Sequence, residues 1–323
     1  MNAKRRLVLA GLAAASLIVL AVAPLLGPSP LFGSAEVLRE IRIPRVLLAF
    51  LAGGGLAGAG MTFQALFRNP LASPFTLGVS SGAAFGAALA IKLGLTFTLL
   101  GVSSISLAAF AGALGSLFLV YGIGSARPGL GPSVMLLAGV AVSFFFSSLL
   151  LLVQYLSGFS DATRIVRWLM GGLETVGYGG VLDLLPFTLG GAAVVFLHAR
   201  ELNLLSLGDE LALSRGVRAA RVRTTLFVAA TLMVGGVVSV CGPIGFVGMM
   251  APHLARLLVG SEHRHLAPAS FLMGGIFLVI CDAAGRVVIA PAEIPVGVVT
   301  ALPGGPFFIW LLLRRSSPGR VMA

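Results

Sequence analysis

"LVLAGLAAASLIVLAVAPLL", residues 7 to 26, is a run of 20 residues that contains no charged side chain. A helix rises about 1.5 Å per residue, so a run of this length crosses the roughly 30 Å hydrocarbon core of a bilayer. The basic residues before it and the Ala-Val-Ala that precedes Pro24 also resemble a signal peptide. Because further runs of spanning length follow, we interpret this segment as a first transmembrane helix that is retained.

The whole chain is too apolar for a water-soluble globule. Its 323 residues are 58% hydrophobic and 10% charged, with a mean hydropathy of +1.04, whereas a soluble domain carries about 25% charged residues. The 43 glycines favour helices that pack closely in lipid, because small residues let two backbones approach. Cys241 and Cys281 lie in apolar segments without metal-binding spacing, and we interpret them as small core residues.

Apolar segments of spanning length recur along the chain, separated by clusters of arginine, proline or glycine. The third segment is short and glycine-rich and Pro252 interrupts the eighth, so nine and eleven spans are alternatives. The pattern predicts an all-α, polytopic membrane protein with about ten transmembrane helices, in a single domain over residues 1–323. The predicted segments are 7–26, 46–67, 76–93, 97–123, 133–156, 183–199, 222–240, 244–259, 267–285 and 296–313.

The positive charges predict the orientation of these helices. The net charge of +11 is scattered between apolar segments, which argues against a basic patch for nucleic acid. With a cytoplasmic N-terminus, 15 of the 22 Lys and Arg residues fall on the cytoplasmic side and 7 on the outer side. Because cytoplasmic loops are enriched in positive residues, the sequence predicts that both termini are cytoplasmic and that the number of spans is even.

Two stretches between apolar segments are long enough to hold structure of their own. The outer stretch, 154–180, predicts a short amphipathic helix around Thr163 to Met170. The inner stretch, 200–223, has leucines at helical spacing, the acidic pair Asp209 and Glu210, and a break at Gly216. It fits either an interfacial helix that lies on lipid or a docking helix for a cytoplasmic partner.

The spans carry few groups for energy coupling. Segments 46–67, 97–123, 133–153 and 296–313 contain no Asp, Glu, Lys, Arg or His, and Asp282 and Glu293, the nearest candidates for a proton relay, lie near outer ends. Lys4 and Lys92 do not lie in a P-loop, and no zinc-protease, serine-hydrolase or paired-carboxylate motif occurs. The sequence therefore predicts a transport protein that is not an enzyme, holds no metal or cofactor of its own and takes its energy from a partner.

Eight stretches together point to one transporter family. They are "RIPR" (42–45), "QALFRNPLASPFTLGVSSGAA" (64–84), "MLLAGVA" (135–141), "WLMGG" (168–172), "LNLLSLGDELALSRGV" (202–217), "GPIGFVGMMAPHLARLLVG" (242–260), "CDAAGR" (281–286) and "EIPVGVVTALPGGPFFIWLL" (293–312). In this order and spacing, over nearly the whole chain, they resemble the FecCD/BtuC family. Its members are the permeases of ATP-binding-cassette (ABC) importers for iron chelates, haem and cobalamin.

The resemblance implies a BtuC-like type II ABC importer permease that works as a homodimer in a bacterial or archaeal cytoplasmic (inner) membrane. Its implied partners are two cytoplasmic ATPase subunits, which bind ATP and Mg²⁺, and a periplasmic or lipid-anchored substrate-binding protein. The implied substrate is a bulky metal chelate, either a ferric siderophore, haem or cobalamin. An iron complex is favoured as the commonest assignment in the family, with cobalamin as the alternative. An ion-coupled secondary transporter is the rival from a different class.

The resemblance also implies a docking role for three outer arginines. Arg42 and Arg45 precede the second span and Arg286 follows the ninth, at positions that receive acidic residues of the substrate-binding protein. The orientation predicted from charge places all three outside, and a guanidinium suits bidentate pairing with a carboxylate. The alternative is that these side chains extend to lipid headgroups.

On the inner side, segment 201–217 matches the family's coupling loop, which lies in a groove of the ATPase subunit. Glu210 and Gly216 are the predicted polar and turn positions, although Gly216 also fits an ordinary helix C-cap. The predicted apolar contacts are Leu205, Leu207, Leu211 and Leu213.

The implied translocation path runs along the centre of the homodimer. The turn before the fifth span predicts an inner gate at Gly131, Pro132 and Ser133, with Pro132 in place of the expected small hydroxyl residue. "GVSSGAA" predicts a path lining at Ser80, Ser81 and Gly82. The alternative for this lining set is helix packing by small residues.

Overall fold

The computed structural model describes residues 3–27, 35–99, 101–125 and 132–315, most of which are helical. A 3₁₀ turn at Ala23–Leu25 follows α1, and a π-helical turn at Leu38–Arg42 joins α2 to α3. The described helices are α1 (Ala3–Val22), α2 (Ala35–Val37), α3 (Ile43–Leu66), α4 (Val79–Lys92), α5 (Ser104–Ser125), α6 (Pro132–Tyr155), α7 (Phe159–Leu169), α8 (Gly179–Leu197), α9 (Ala199–Leu207), α10 (Asp209–Ser214), α11 (Ala219–Cys241), α12 (Val247–Val259), α13 (His263–Val287) and α14 (Val296–Arg315).

Each of the ten predicted apolar segments contains a helix in the structure, although residues 98–103 of the segment 97–123 belong to a hairpin. Seven helices among the described residues are long and apolar enough to cross a membrane. Three shorter apolar helices, α4, α12 and α14, account for the remaining predicted segments. The prediction of an all-α polytopic fold with about ten membrane helices is confirmed. Pro252 lies within α12 and does not end the helix, so the eighth segment contains a single helix.

Helix α3 is the central element of the bundle. In its most apolar window 83% of the residues are buried, against 17% for α1, so α1 is peripheral. Around α3 pack α8, α11, α12 and α13. A helix that is apolar on all its faces is expected in such a position, because no face has to meet water.

Glycine pairs let these helices touch through their backbones. Gly53 of α3 faces Gly274 of α13, and a Cβ atom on either residue would collide with the carbonyl group of the other. In the same way, a Cβ atom on Gly60 would collide with the Gly248 carbonyl group of α12. Without a hydrophobic driving force inside lipid, such close van der Waals contact holds helices together. These glycines therefore allow α12 and α13 to pack closely on α3.

The predicted outer amphipathic helix is confirmed as α7. It buries Ile165 and begins at Phe159, four residues before the predicted start. A two-stranded hairpin, β1 (Thr98–Leu99) and β2 (Val102–Ser103), precedes α5 and was not predicted. In the predicted inner stretch, α9 and α10 meet at Gly208, whose φ of +146° favours glycine. The predicted break after α10 is confirmed at Gly216, which has a φ of +78°.

Candidate functional site: two arginine clusters at opposite ends of helix α3

The outer cluster, defined as Arg42, Arg45, Asp282, Arg286 and Glu293, is centred on the carboxylate of Asp282. Arg45 Nε donates to Asp282 Oδ1 at 2.9 Å, and Arg45 also donates to Glu293 Oε2 at 2.7 Å. Arg286 Nε lies 3.0 Å from Asp282 Oδ2, as an ion pair without hydrogen-bond alignment. The Asp282 side chain is 1% exposed, so one buried carboxylate lies between two guanidinium groups.

Two arginines of the outer cluster bind the backbone that leaves α1. Arg286 donates to Leu26 O at 2.8 Å and to Ala23 O at 3.3 Å. Arg42 donates to Pro24 O at 3.4 Å. Carbonyl groups at the end of a helix lack intrahelical donors, and a cation near that end is favoured by the helix dipole. These arginines therefore fasten the end of α1 to α3 and α13.

The outward presentation predicted for Arg42 and Arg286 is wrong. Arg42 is 8% exposed and Arg286 is 3% exposed. A buried guanidinium is costly unless its charge and its donors find partners. Here backbone carbonyl groups accept from Arg42 and Arg286, and the Asp282 carboxylate lies beside the Arg286 charge. The alternative of extension to headgroups fails for the same reason. Arg45, with a side chain that is 12% exposed, lines the surface of an outer cavity, and its docking role stays a prediction.

This outer cavity has a volume of about 380 Å³ and lies where α3 begins and where α7 and α11 end, near the loop before α14. The charged and aromatic side chains that line the cavity come largely from α7, together with Glu174 and Glu293. Asp161 lies 3.9 Å from Arg164 on α7, in an exposed ion pair. The lining side chains with charge or aromatic character are Arg45, Arg164, Arg167, Trp168, Glu174 and Glu293.

The inner cluster, defined as Gln64, Arg68, Asp209, Arg223 and Arg256, lies at the other end of α3. Arg68 Nε donates to Leu205 O at 2.9 Å, and Arg68 also pairs with Asp209 Oδ1. Arg223 of α11 donates to the same Asp209 oxygen at 2.8 Å. A single carboxylate thus joins the end of α3, the start of α10 and the first turns of α11.

The two arginines stabilise the charged form of Asp209. Partial burial alone would raise the pKa of Asp209, but the hydrogen bond and the charge of Arg223, together with Arg68, outweigh burial and lower it below the ordinary value. Asp209 is therefore ionised at neutral pH. Because its side chain is 41% exposed, water screens these ion pairs more than it screens the pairs around Asp282.

The remaining members of the inner cluster connect α3 to α12. Gln64 Nε2 donates to Gly248 O at 3.4 Å, and Arg256 donates to Gln64 Oε1 at 3.1 Å. Pro252 lies four residues after Gly248 and has no N–H group, so the Gly248 carbonyl lacks its usual helical donor. Gln64 supplies that donor from α3.

The coupling segment is defined as α9 and α10 with the turn to Gly216. Most of its residues that are predicted to contact an ATPase subunit are exposed. Leu207 is 71% exposed, Leu211 40% and Leu213 61%, and Glu210 is also exposed. Leu205 is the exception at 1% exposed, so its prediction as a surface contact is wrong. It lies three residues after the buried Leu202, on the inward face of α9, because helical residues three apart share a face.

The predicted path residues are mostly packed inside the chain. Ser80 is 4% exposed, and a Cβ atom on Gly82 would collide with Gly112 O of α5, so the lining role is wrong for both. The alternative of helix packing applies to them. Ser81 is partly exposed, and its hydroxyl donates to Gly78 O at 3.1 Å. Gly131 lies outside the described residues, and Pro132 and Ser133 begin α6 without described side chains.

Several functional positions were missed because their partners are distant in the sequence. The sequence shows Asp209 only as half of an acidic pair and does not connect Arg68 or Arg223 to it. It presents Asp282 as a candidate for a proton relay and not as a partner of Arg45. One signal was available, since Asp282 and Arg286 are four residues apart and share a helix face. Among the described residues, no group of three or more His, Cys, Asp and Glu side chains is placed to hold a metal ion.

The fold and the two clusters define a polytopic membrane protein with polar contacts concentrated at the two ends of its central helix. The sequence model of the FecCD transport family matches residues 7–314, and the chain belongs to this family. It is thus an ABC transporter permease, and relatives of this chain are named as permeases for hemin, cobalamin and iron dicitrate.

Individual relatives agree with this assignment. The hemin transport system permease protein HmuU of Yersinia pestis is 38% identical over 85% of this chain and 83% of its own length. The cobalamin import system permease protein BtuC of Halobacterium salinarum is 41% identical over 86% of this chain and 74% of its own length. An inward-facing structure of a putative metal-chelate type ABC transporter superposes with a TM-score of 0.86, at 33% identity, covering 96% of this chain and 99% of the other.

Proposed function

We propose that this chain is the membrane-spanning subunit of an ABC importer that carries an iron complex into the cytoplasm. It works as a homodimer with two ATPase subunits, and a substrate-binding protein delivers the chelate from outside. Both termini lie in the cytoplasm, which the excess of basic residues on that side supports. The observation that carries the proposal is the exposed apolar surface of the coupling segment.

Three leucines make this surface unusual for a segment outside the predicted membrane helices. Leu207, Leu211 and Leu213 are exposed on α9 and α10, whereas Leu202 and Leu205 point inward. The charged residues Glu210 and Arg215, which are close to these leucines in the sequence, are also exposed. An apolar patch with a polar rim is typical of a protein–protein contact, and we assign it to the ATPase subunit.

On the outer side, we assign docking of the substrate-binding protein to Arg45. Its guanidinium already pairs with Glu293, whose side chain is 37% exposed, and both residues line the outer cavity. A carboxylate of the incoming protein therefore has to replace Glu293 at Arg45 or join it. This arrangement favours an exchange of ion-pair partners rather than capture by an unoccupied arginine.

The substrate proposal draws on relatives whose names include hemin and cobalamin, which are an iron and a cobalt complex. We favour the iron complex. The test is to purify the cognate substrate-binding protein and identify the chelate that it retains by absorption spectrum and elemental analysis. Retained iron supports the proposal, whereas retained cobalt in a corrin spectrum replaces it with cobalamin import.

The importer class is tested by reconstitution. Permease, ATPase and loaded binding protein are placed in proteoliposomes, and uptake of hemin and cyanocobalamin is followed with and without ATP. We expect uptake that requires ATP and survives collapse of the proton and sodium gradients by ionophores. Uptake that continues without ATP and stops with the gradient would establish a secondary transporter instead.

A further inference from the structure

The inner cluster holds the coupling segment by one carboxylate. Helix α10 has six residues and buries only Ala212, so apolar packing attaches it weakly. Asp209, its first residue, accepts from Arg223 of α11 and pairs with Arg68 beyond the end of α3. Arg68 adds a second link, because its Nε donates to the Leu205 carbonyl of α9 at 2.9 Å.

Polar contacts continue from this carboxylate into the bundle. One helical turn before Arg68, Gln64 donates to Gly248 O and accepts from Arg256, which ties α3 to α12. From there α3 runs as one helix to Arg45, the residue that pairs with Asp282 and Glu293 on the outer side. A displacement of α10 that keeps the Asp209 contacts must therefore act on α3 and α11.

We propose that Asp209 is a positioning residue that carries movement of the ATPase-bound coupling segment to α3 and α11. This inference rests on the proposed function, since it requires the ATPase to bind that segment. It assigns different roles to two adjacent carboxylates: the exposed Glu210 contacts the ATPase, and Asp209 connects the contact to the membrane helices. The role differs from simple stability, because Asp209 is required when the segment moves and not only when it folds.

The experiment measures transmission without needing the substrate. Permease and ATPase are reconstituted in nanodiscs with Val176→Cys as a reporter, since Val176 is 82% exposed and lines a cavity with Arg45 on the outer side. Cys241 and Cys281, both buried, are replaced by alanine. Labelling of the reporter by a membrane-impermeant maleimide is compared with and without ATP and vanadate, and ATPase affinity is measured on the same samples.

For Asp209→Asn we expect unchanged ATPase affinity and a loss of at least about 5-fold in the ATP-dependent labelling change, the lower end of usual coupling effects. Asp209→Glu, which keeps the charge, should restore most of the change. Glu210→Gln should show the opposite pattern, with weaker ATPase binding and a preserved change at saturating ATPase. Adding Arg223→Gln to Asp209→Asn should cause little further loss, because both substitutions remove the contact between Arg223 and Asp209.

Three results would overturn the inference. An Asp209→Asn permease with the full labelling change shows that the contact does not transmit movement. A loss that follows weaker ATPase binding in proportion shows that Asp209 acts only at the interface. A parent permease that binds no ATPase, or responds to none, removes the proposed function itself and the inference with it.

Discussion

The outer and inner clusters use the same chemistry at opposite ends of α3 and reach opposite degrees of exposure. On the outer side, the Asp282 side chain is 1% exposed and two arginines surround it. On the inner side, the Asp209 side chain is 41% exposed and two arginines again converge on it. The outer cluster is closed by its own contacts, whereas the inner one borders apolar side chains that the described part of the chain leaves exposed.

The difference shows that arginines near a membrane boundary do not identify a docking surface by themselves. A buried ion pair is held by good geometry and additional hydrogen bonds, and losing one partner leaves an uncompensated charge. An exposed pair contributes little to stability and separates readily. We infer that the outer cluster mainly holds α1, α3 and α13 together. The ion pairs of the inner cluster can instead rearrange when the coupling segment moves.

The largest expected effect comes from breaking the outer cluster. Asp282→Asn leaves Arg45 and Arg286 buried without their shared carboxylate, and we expect the free energy of unfolding to fall by about 3–5 kcal/mol. The matched variant Glu293→Gln removes a half-exposed carboxylate from Arg45 and should cost less than about 1 kcal/mol. Denaturant unfolding of both permeases in the same detergent measures this difference. Equal losses would show that the two carboxylates hold Arg45 alike.

A second comparison separates buried from exposed leucines within the coupling segment. Leu205→Ala removes a side chain from the core and should lower the free energy of unfolding by about 2–5 kcal/mol. Leu213→Ala should leave stability within about 0.5 kcal/mol and weaken ATPase affinity about tenfold, which corresponds to about 1.4 kcal/mol. Unfolding curves and ATPase titrations on both variants test this. An unchanged affinity for Leu213→Ala removes that leucine from the contact.

The smallest expected effect is the pH dependence of the inner cluster. Asp209 has a lowered pKa when folded, so its stabilising contribution is present above the ordinary carboxyl value of about 3.9 and is lost as the pH falls through the folded value. The stability difference between the parent permease and Asp209→Asn should therefore be constant from pH 8 to about pH 5 and stay below about 1 kcal/mol, because water screens the pair. A difference that shrinks well above pH 5 would mean that Asp209 is not held ionised by its arginines.

The helices were predictable because their signal is local. Every apolar run of spanning length became a helix, and the leucine spacing and Gly216 predicted where the coupling segment begins and breaks. The partners of the arginines were not predictable in this way. Arg45 and Asp282 are 237 residues apart, and only the packing of α3 against α13 brings them together. Leu205 was misjudged because both faces of α9 carry leucines, and one face turns inward.

The sequence by itself determined a polytopic all-helical permease, since the length of the apolar runs, the distribution of basic residues and the family motifs can each be read from short stretches of sequence. Tertiary structure alone decided which polar side chains are buried, which carboxylate each arginine meets and which leucines stay exposed. The physical reason is that spanning a membrane depends on the composition of each segment, whereas the cost or benefit of a charge depends on the atoms around it. Those atoms come from helices far apart in sequence. Asp282 therefore connects α3 to α13, and Asp209 connects the coupling segment to α3 and α11.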